Sequence, residues 1–246
     1  MNFSDIMNIE TNDFFMNYFE EKIIFSTTTM KLSKLEVPLE KWDAKILKDI
    51  ILNGTITMVK DSMKVGNDFF INNGTVDLSR LYHLHLEGFT FYIKEVERFF
   101  PEVQKIVDRL ERELHPYKLQ TNLFISPGGK VGFNPHFDCH DVIVWQLKGA
   151  KRWKLWKAFC QDMTSETPSD DDSAKVQSLI STKPPLIDKT IRKDDVFYMP
   201  RGVIHAPEAI ENSTHMTFWL KAPLLENINT KEELEFEKRK SELLYL

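Results

Sequence analysis

The sequence predicts a mainly β fold with flanking helices, organised as one sandwich or barrel. Short runs of alternating apolar and polar residues, separated by Pro/Gly turns, recur between residues 118 and 221. The strand–helix–strand rhythm that builds a parallel sheet is missing from that stretch. Helical spacing lies before and after it, at residues 101–114 and beyond residue 230.

Taken in order, the first clear element runs from Pro101 to Leu114. Val103, Ile106, Val107, Leu110 and Leu114 recur at helical spacing behind a proline suited to a first helical turn. From Lys118 to Ser126 the period changes to two, with Leu119, Thr121, Leu123 and Ile125 on one side and Gln120, Asn122 and Phe124 on the other. That is a strand. Pro127-Gly128-Gly129 forms a turn, and a second alternating run is expected from His136 to Leu147, ended by Gly149. Arg152–Trp156, Asp195–Met199 and Thr214–Leu220 are further strand-like pieces. Ser165–Ser173 (SETPSDDDS) combines turn formers with like charges and is expected to be a solvated loop. A capping box at Thr230–Glu233 starts a terminal helix, Lys231–Leu246, whose Leu234, Phe236, Leu243 and Leu244 suit docking on its own domain or pairing between subunits as a homodimer. The expected organisation is a domain over residues 1–222 and a helical tail over residues 223–246.

Composition narrows the function classes. At 246 residues and 42% hydrophobic content, the chain can fill one large core. Its net charge of −5 is spread over both signs, so a phosphate-backbone partner is a poor fit. Two cysteines, Cys139 and Cys160, suit a reducing compartment. The N-terminus, MNFSDIMNIETNDFF, does not have the basic start and apolar run of a signal peptide. No stretch reaches the roughly 18–20 apolar residues needed to cross a bilayer. A soluble cytoplasmic protein with no membrane partner is expected.

One constellation carries chemistry. In a strand, His136 and Asp138 project to the same side, about 7 Å apart along the chain, and can grip one ion. A third ligand must come from elsewhere. Pro200-Arg201-Gly202-Val203-Ile204-His205 places a histidine just after a turn, at the start of a new strand. Two imidazoles and one carboxylate on one face of a metal leave positions open, which suits non-haem iron(II); zinc accepts the same ligand types. Cys139, between the two ligand positions, points away by alternation. Trp145, Trp153, Trp156 and Trp219 are expected to serve as packing.

The runs NLFISPGGKVGFNPHFDCHDVIVWQLKGAKRWKLW, DVFYMPRGVIHAPEA and STHMTFWL resemble the JmjC-like cupin family of ribosomal oxygenases and their bacterial relatives. NDFFMNYFEEKIIF and LEGFTFYIKEVERFFPEVQKIVDRLERELH resemble that family's N-terminal elements, so the likeness spans roughly residues 12–222. It implies a double-stranded β-helix of the cupin, or jelly-roll, type. It implies His136, Asp138 and His205 as ligands of Fe(II). Lys151 matches the family's basic residue for the distal carboxylate of 2-oxoglutarate, and Asn122 matches a polar residue lining the same pocket. Thr217, on the closing strand, could bond the cosubstrate, with His215 on the same face. From the residues alone, Lys151 could be an exposed strand lysine, and Asn122 and Thr217 ordinary strand residues.

The implied activity is an Fe(II)- and 2-oxoglutarate-dependent dioxygenase that consumes O2 and hydroxylates an amino-acid side chain in a protein or peptide, releasing succinate and CO2. Demethylation uses the same oxidant. After residue 222 only 24 residues remain, too few for the dimerisation and winged-helix modules of relatives acting on ribosomal proteins. Another protein, a natural-product precursor peptide or a small molecule is therefore expected as substrate. The alternatives are a metal-dependent cupin that does not use 2-oxoglutarate, acting as isomerase or direct dioxygenase, and a non-enzymatic cupin binding module.

Overall fold

A computed structural model of the chain describes residues 2–32, 35, 42–158 and 170–221. The expected C-terminal helix, Cys160 and residues 165–169 lie outside the described residues. In chain order the elements are α1 (Phe3–Met7), α2 (Thr11–Asn17), β1 (Ile24–Thr27), α3 (Ala44–Leu52), β2 (Ile56–Lys60), β3 (Met63–Val65), β4 (Ile71–Asn72), β5 (Thr75–Val76), α4 (Leu78–Leu86), β6 (Thr90–Lys94) and α5 (Pro101–Glu113). There follow β7 (Lys118–Ser126), β8 (Asp141–Lys148), β9 (Ala150–Ala158), α6 (Asp170–Thr182), β10 (Ile187–Arg192), β11 (Asp195–Met199), β12 (Val203–Ala209) and β13 (Ser213–Lys221).

Eight strands form one antiparallel sheet in the order β1-β11-β8-β13-β7-β6-β2-β3, and three form a second in the order β10-β9-β12. The two sheets face each other: Trp153 of β9 meets Phe197 of β11 at 5.0 Å between ring centroids. Val142, Val144, Leu155, Met199 and Val203 join them in an apolar layer between the sheets. This is the jelly-roll arrangement expected of a double-stranded β-helix.

The period-two pattern of β7 explains how the large sheet serves two interiors. Leu119, Leu123 and Ile125 enter a core with the N-terminal helices, while Asn122, Phe124 and Ser126 face the small sheet. That outer core is sealed by α5, which begins at Pro101 as expected and buries Val103, Ile106, Val107 and Leu110. Each such burial is worth about 1.5–3 kcal/mol. Upstream, Asp43 and Asp77 cap α3 and α4 by accepting from the Lys45 and Ser79 N–H groups.

The β8–β9 hairpin turns at Gly149, whose φ of +68° and approach to the Asn212 carbonyl, 2.1 Å from where a Cβ would stand, leave room for glycine alone. Two expectations change. Strand β8 begins at Asp141, so His136 and Asp138 sit on the segment that leads into it, and His136 is held by an isolated bridge to His205. Residues 170–173 of the expected loop open α6, whose Val176 packs on Phe137, Trp156 and Ile204. Leu179 and Ile180 pack on the same cluster, so an apolar face anchors the helix despite the turn-forming residues at its start.

Candidate functional site

The space between the sheets opens into a cavity of about 980 Å³. Its floor on the large sheet is built of cross-strand rows, because residues opposite each other in an antiparallel pair share a face. One row is Tyr92–Phe124–His215, on β6, β7 and β13. Its rings stack successively, at 4.8 Å and 4.5 Å between centroids. The next row is Lys94–Asn122–Thr217, of which Lys94 and Thr217 line the cavity, while Asn122 is fully buried and is not among the lining residues. Asn122 Nδ2 reaches Thr217 Oγ1 at 3.5 Å, so two of the residues singled out in the sequence are neighbours here. β9 and β12 supply the opposite wall through Lys151, Trp153, His205 and Pro207.

At one end, His136, Asp138 and His205 converge, one ligand atom from each lying within 4.8 Å of the others. Three local devices aim them. The His136 Nδ1–H donates to the Asn134 carbonyl at 2.7 Å, and the His205 Nδ1–H to the Val203 carbonyl at 3.0 Å. Each imidazole therefore keeps its lone pair on Nε2, the nitrogen left for a metal. Phe137, between the two ligand positions, turns the other way and is buried against Trp156, Val176 and Ile204. The Gly202 N–H donates to the Asp138 carbonyl at 2.9 Å, joining the two ligand-bearing segments.

Burial, with a contribution from nearby His136 and against the opposing charge of Asp138, brings His205 down to about 4. It is thus neutral at physiological pH, as an imidazole ligand must be. Two imidazoles and a carboxylate on one side, with open cavity on the other, fit an iron(II) ion with free coordination positions. Cys139 is not among the converging groups.

Toward the other end lies Lys151, 4% exposed. Its Nζ donates to Ser126 Oγ at 3.0 Å and to His215 Nδ1 at 3.1 Å. Among the described residues no carboxylate pairs with it, and burial lowers its pKa to about 7. His215 lies well below the usual histidine range, through burial and then through Lys151 and His205. A buried amine with neutral partners is short of a counter-charge, which an anion entering the cavity would supply.

Ser126 was not singled out in the sequence, although extending the alternation of Asn122 and Phe124 by one step leads to it. The weight of His215 and the role of Phe137 as an anchor were also missed. Both follow from packing across strands far apart in sequence. The tryptophans divide: Trp145 and Trp156 pack, whereas Trp153 and Trp219 both pack and line the cavity.

Known proteins agree with this architecture. A family profile described as JmjC domain matches residues 94–228. Ribosomal oxygenase 2 of Bos taurus is 30% identical over 131 residues, 52% of this chain and 26% of the relative. The bifunctional lysine-specific demethylase and histidyl-hydroxylase NO66 of Dictyostelium discoideum is 30% identical over 142 residues, 56% of this chain and 26% of its own length. The chain thus spans about a quarter of these curated relatives. Among solved structures, the Escherichia coli ribosomal oxygenase YcfD with cobalt and succinic acid superposes with a TM-score of 0.61 at 16% identity, covering 89% of this chain and 53% of that one. YcfD with cobalt and 2-oxoglutarate gives 0.59 at 15% identity. At this identity the likeness speaks for the fold.

Proposed function

The chain belongs to the JmjC domain family, and from that premise we propose that it is an Fe(II)- and 2-oxoglutarate-dependent oxygenase that hydroxylates an amino-acid side chain in a protein or peptide. One observation carries the proposal: a triad with fixed Nε2 lone pairs and an uncompensated buried lysine share one cavity. A metal alone would explain the first feature. The second calls for an anion as well, which favours 2-oxoglutarate over a cupin reaction that needs only the metal.

His136, Asp138 and His205 would hold the metal, which supplies oxidation of an unactivated C–H bond at the expense of O2. The overall balance is R–H, 2-oxoglutarate and O2 to R–OH, succinate and CO2. The chain's own residues position the reactants. Lys151, steadied by Ser126 and His215, would receive the distal carboxylate of the cosubstrate. Thr217, in the neighbouring row, would meet its flank, with Asn122 bonded to it from within the core. Val142, Val144 and Met199 give the cavity apolar lining beside these polar groups. Similarity to a histidyl-hydroxylase and to ribosomal oxygenases supports a polypeptide substrate. The two cysteines of the sequence support a reducing, cytoplasmic setting. No helix among the described residues is long and apolar enough to cross a membrane.

The test is stoichiometric. With iron(II), 2-oxoglutarate and O2, the protein should form succinate and add one oxygen atom to a peptide or protein partner, seen by mass spectrometry. If metal binds and neither succinate nor an oxygenated product forms, the proposal fails.

A further inference from the structure

Among the described residues, the exposed charges that line the cavity are all positive. Lys64 of β3, Lys94 at the end of β6 and Lys130 line it, and all three are exposed. Asp138, held within the triad, is the one acidic residue among the described lining. The chain as a whole has more acidic than basic residues, 37 against 32, so this segregation runs against its composition. Some basic side chains elsewhere are paired with carboxylates, as in Lys31–Asp194, Arg98–Glu95, Arg109–Glu113 and Arg152–Asp188. Among the described residues, Lys64, Lys94 and Lys130 pair with no carboxylate. Lys64 Nζ lies 5.9 Å from the Phe133 ring centroid and Lys94 Nζ 5.8 Å from that of Tyr92.

Those two rings are in contact, edge to face at 5.6 Å, and Phe133 continues to the metal ligand His136, 5.6 Å between centroids. An aromatic wall therefore leads from cations at the mouth to the triad. Unpaired cations around a concave opening raise the local concentration of anionic ligands and orient them on approach. The aromatic faces between them can take an apolar side chain.

Resting on the reading of the site as an oxygenase acting on polypeptides, we propose that the segment it accepts is acidic. Aspartate or glutamate residues flanking the target meet Lys64, Lys94 and Lys130, and the target side chain lies along Phe133 and Tyr92 toward the triad.

Fluorescence anisotropy tests this without turnover. The probes are a labelled peptide with glutamates on both sides of a central leucine and its counterpart with lysines in those places, added to cobalt-loaded protein. The glutamate peptide should bind about tenfold more tightly at low ionic strength. Salt should erode the difference, and the Lys64→Glu/Lys94→Glu double variant should abolish or reverse it. Equal binding of the two peptides, or a preference that survives in the double variant, overturns the proposal. So does a single-stranded oligonucleotide that displaces the glutamate peptide at lower concentration, because the mouth would then favour nucleic acid. Binding of 2-oxoglutarate is measured on the same samples. Its absence in the wild type counts against the oxygenase reading, while the peptide preference is still read directly from the anisotropy.

Discussion

The main chains of His136 and His205 are bonded in both directions, His136 N–H to the His205 carbonyl at 3.1 Å and His205 N–H to the His136 carbonyl at 2.7 Å. Two ligand positions far apart in the sequence are thereby fixed against each other by backbone, whatever their rings bind. The metal site should exist before a metal arrives. Cobalt(II) titration should show a single tight site, weakened about 100-fold or more in His136→Ala and in His205→Ala. Wild-type affinity in either variant would place the metal elsewhere.

Phe137 acts on the same site from behind. Buried at 1% exposure against Trp156, Val176 and Ile204, it keeps the flanking His136 and Asp138 pointed into the cavity. Phe137→Ala should cost about 3–5 kcal/mol in urea unfolding. Cobalt binding should weaken in the folded protein as well. A variant that lost stability but kept its full metal affinity would show that Phe137 packs without aiming the ligands.

Lys151 gives a pH dependence of defined sign. In the folded protein it titrates near 7, against 10.5 for a free lysine. Between those values the unfolded chain holds a proton that the folded chain has released, so the metal-free protein should gain stability as pH rises through that window and lose it again as pH falls through about 7. Lys151→Met should flatten this rise when urea midpoints are compared at pH 7, 8 and 9. Cosubstrate binding should run the other way. 2-Oxoglutarate selects the ammonium form, so its affinity should fall by up to about tenfold per pH unit above 7. An affinity independent of pH in this range would mean that Lys151 does not meet the carboxylate.

Tyr198 joins the N-terminal segment to the strand that follows the ligands. Its hydroxyl donates to Asp141 Oδ1 at 2.5 Å and accepts from the Glu20 N–H at 2.8 Å, while Arg201 reaches both Glu20 and Asp141. Burial, with Asp141 next to it, holds the Tyr198 phenol well above its usual range, so it stays a donor. Tyr198→Phe should cost about 1–3 kcal/mol by leaving buried partners short of a bond. Thermal unfolding that is unchanged would show the network to be dispensable.

Local pattern made some features readable in the sequence. The alternation of Lys118–Ser126 gives β7 with the same bounds, and the helical spacing behind Pro101 gives α5 to within one residue. The His136/Asp138 pair and the turn before His205 marked the triad that the fold brings together. Features set by distant contacts were not readable. Tyr92, Phe124 and His215 stack only because β6, β7 and β13 lie side by side, an order that does not follow the chain. Likewise, α6 is held by Val176 against Phe137, a contact no window around SETPSDDDS contains. The short elements before Pro101 are stabilised by the core they cover, and their own periodicity is too brief to reveal them.

The central claim is that the triad and Lys151 hold the two ends of one cosubstrate. Its most direct test is anaerobic titration of iron(II)-loaded protein with 2-oxoglutarate, followed by the weak visible absorption of the iron–cosubstrate chelate, in wild type, His136→Ala and Lys151→Ala. The expected result is saturable absorption in the wild type, none in His136→Ala, and a markedly higher half-saturating concentration in Lys151→Ala with iron content unchanged. Iron bound without the absorption, or a Lys151→Ala titration that overlays the wild type, would contradict the claim.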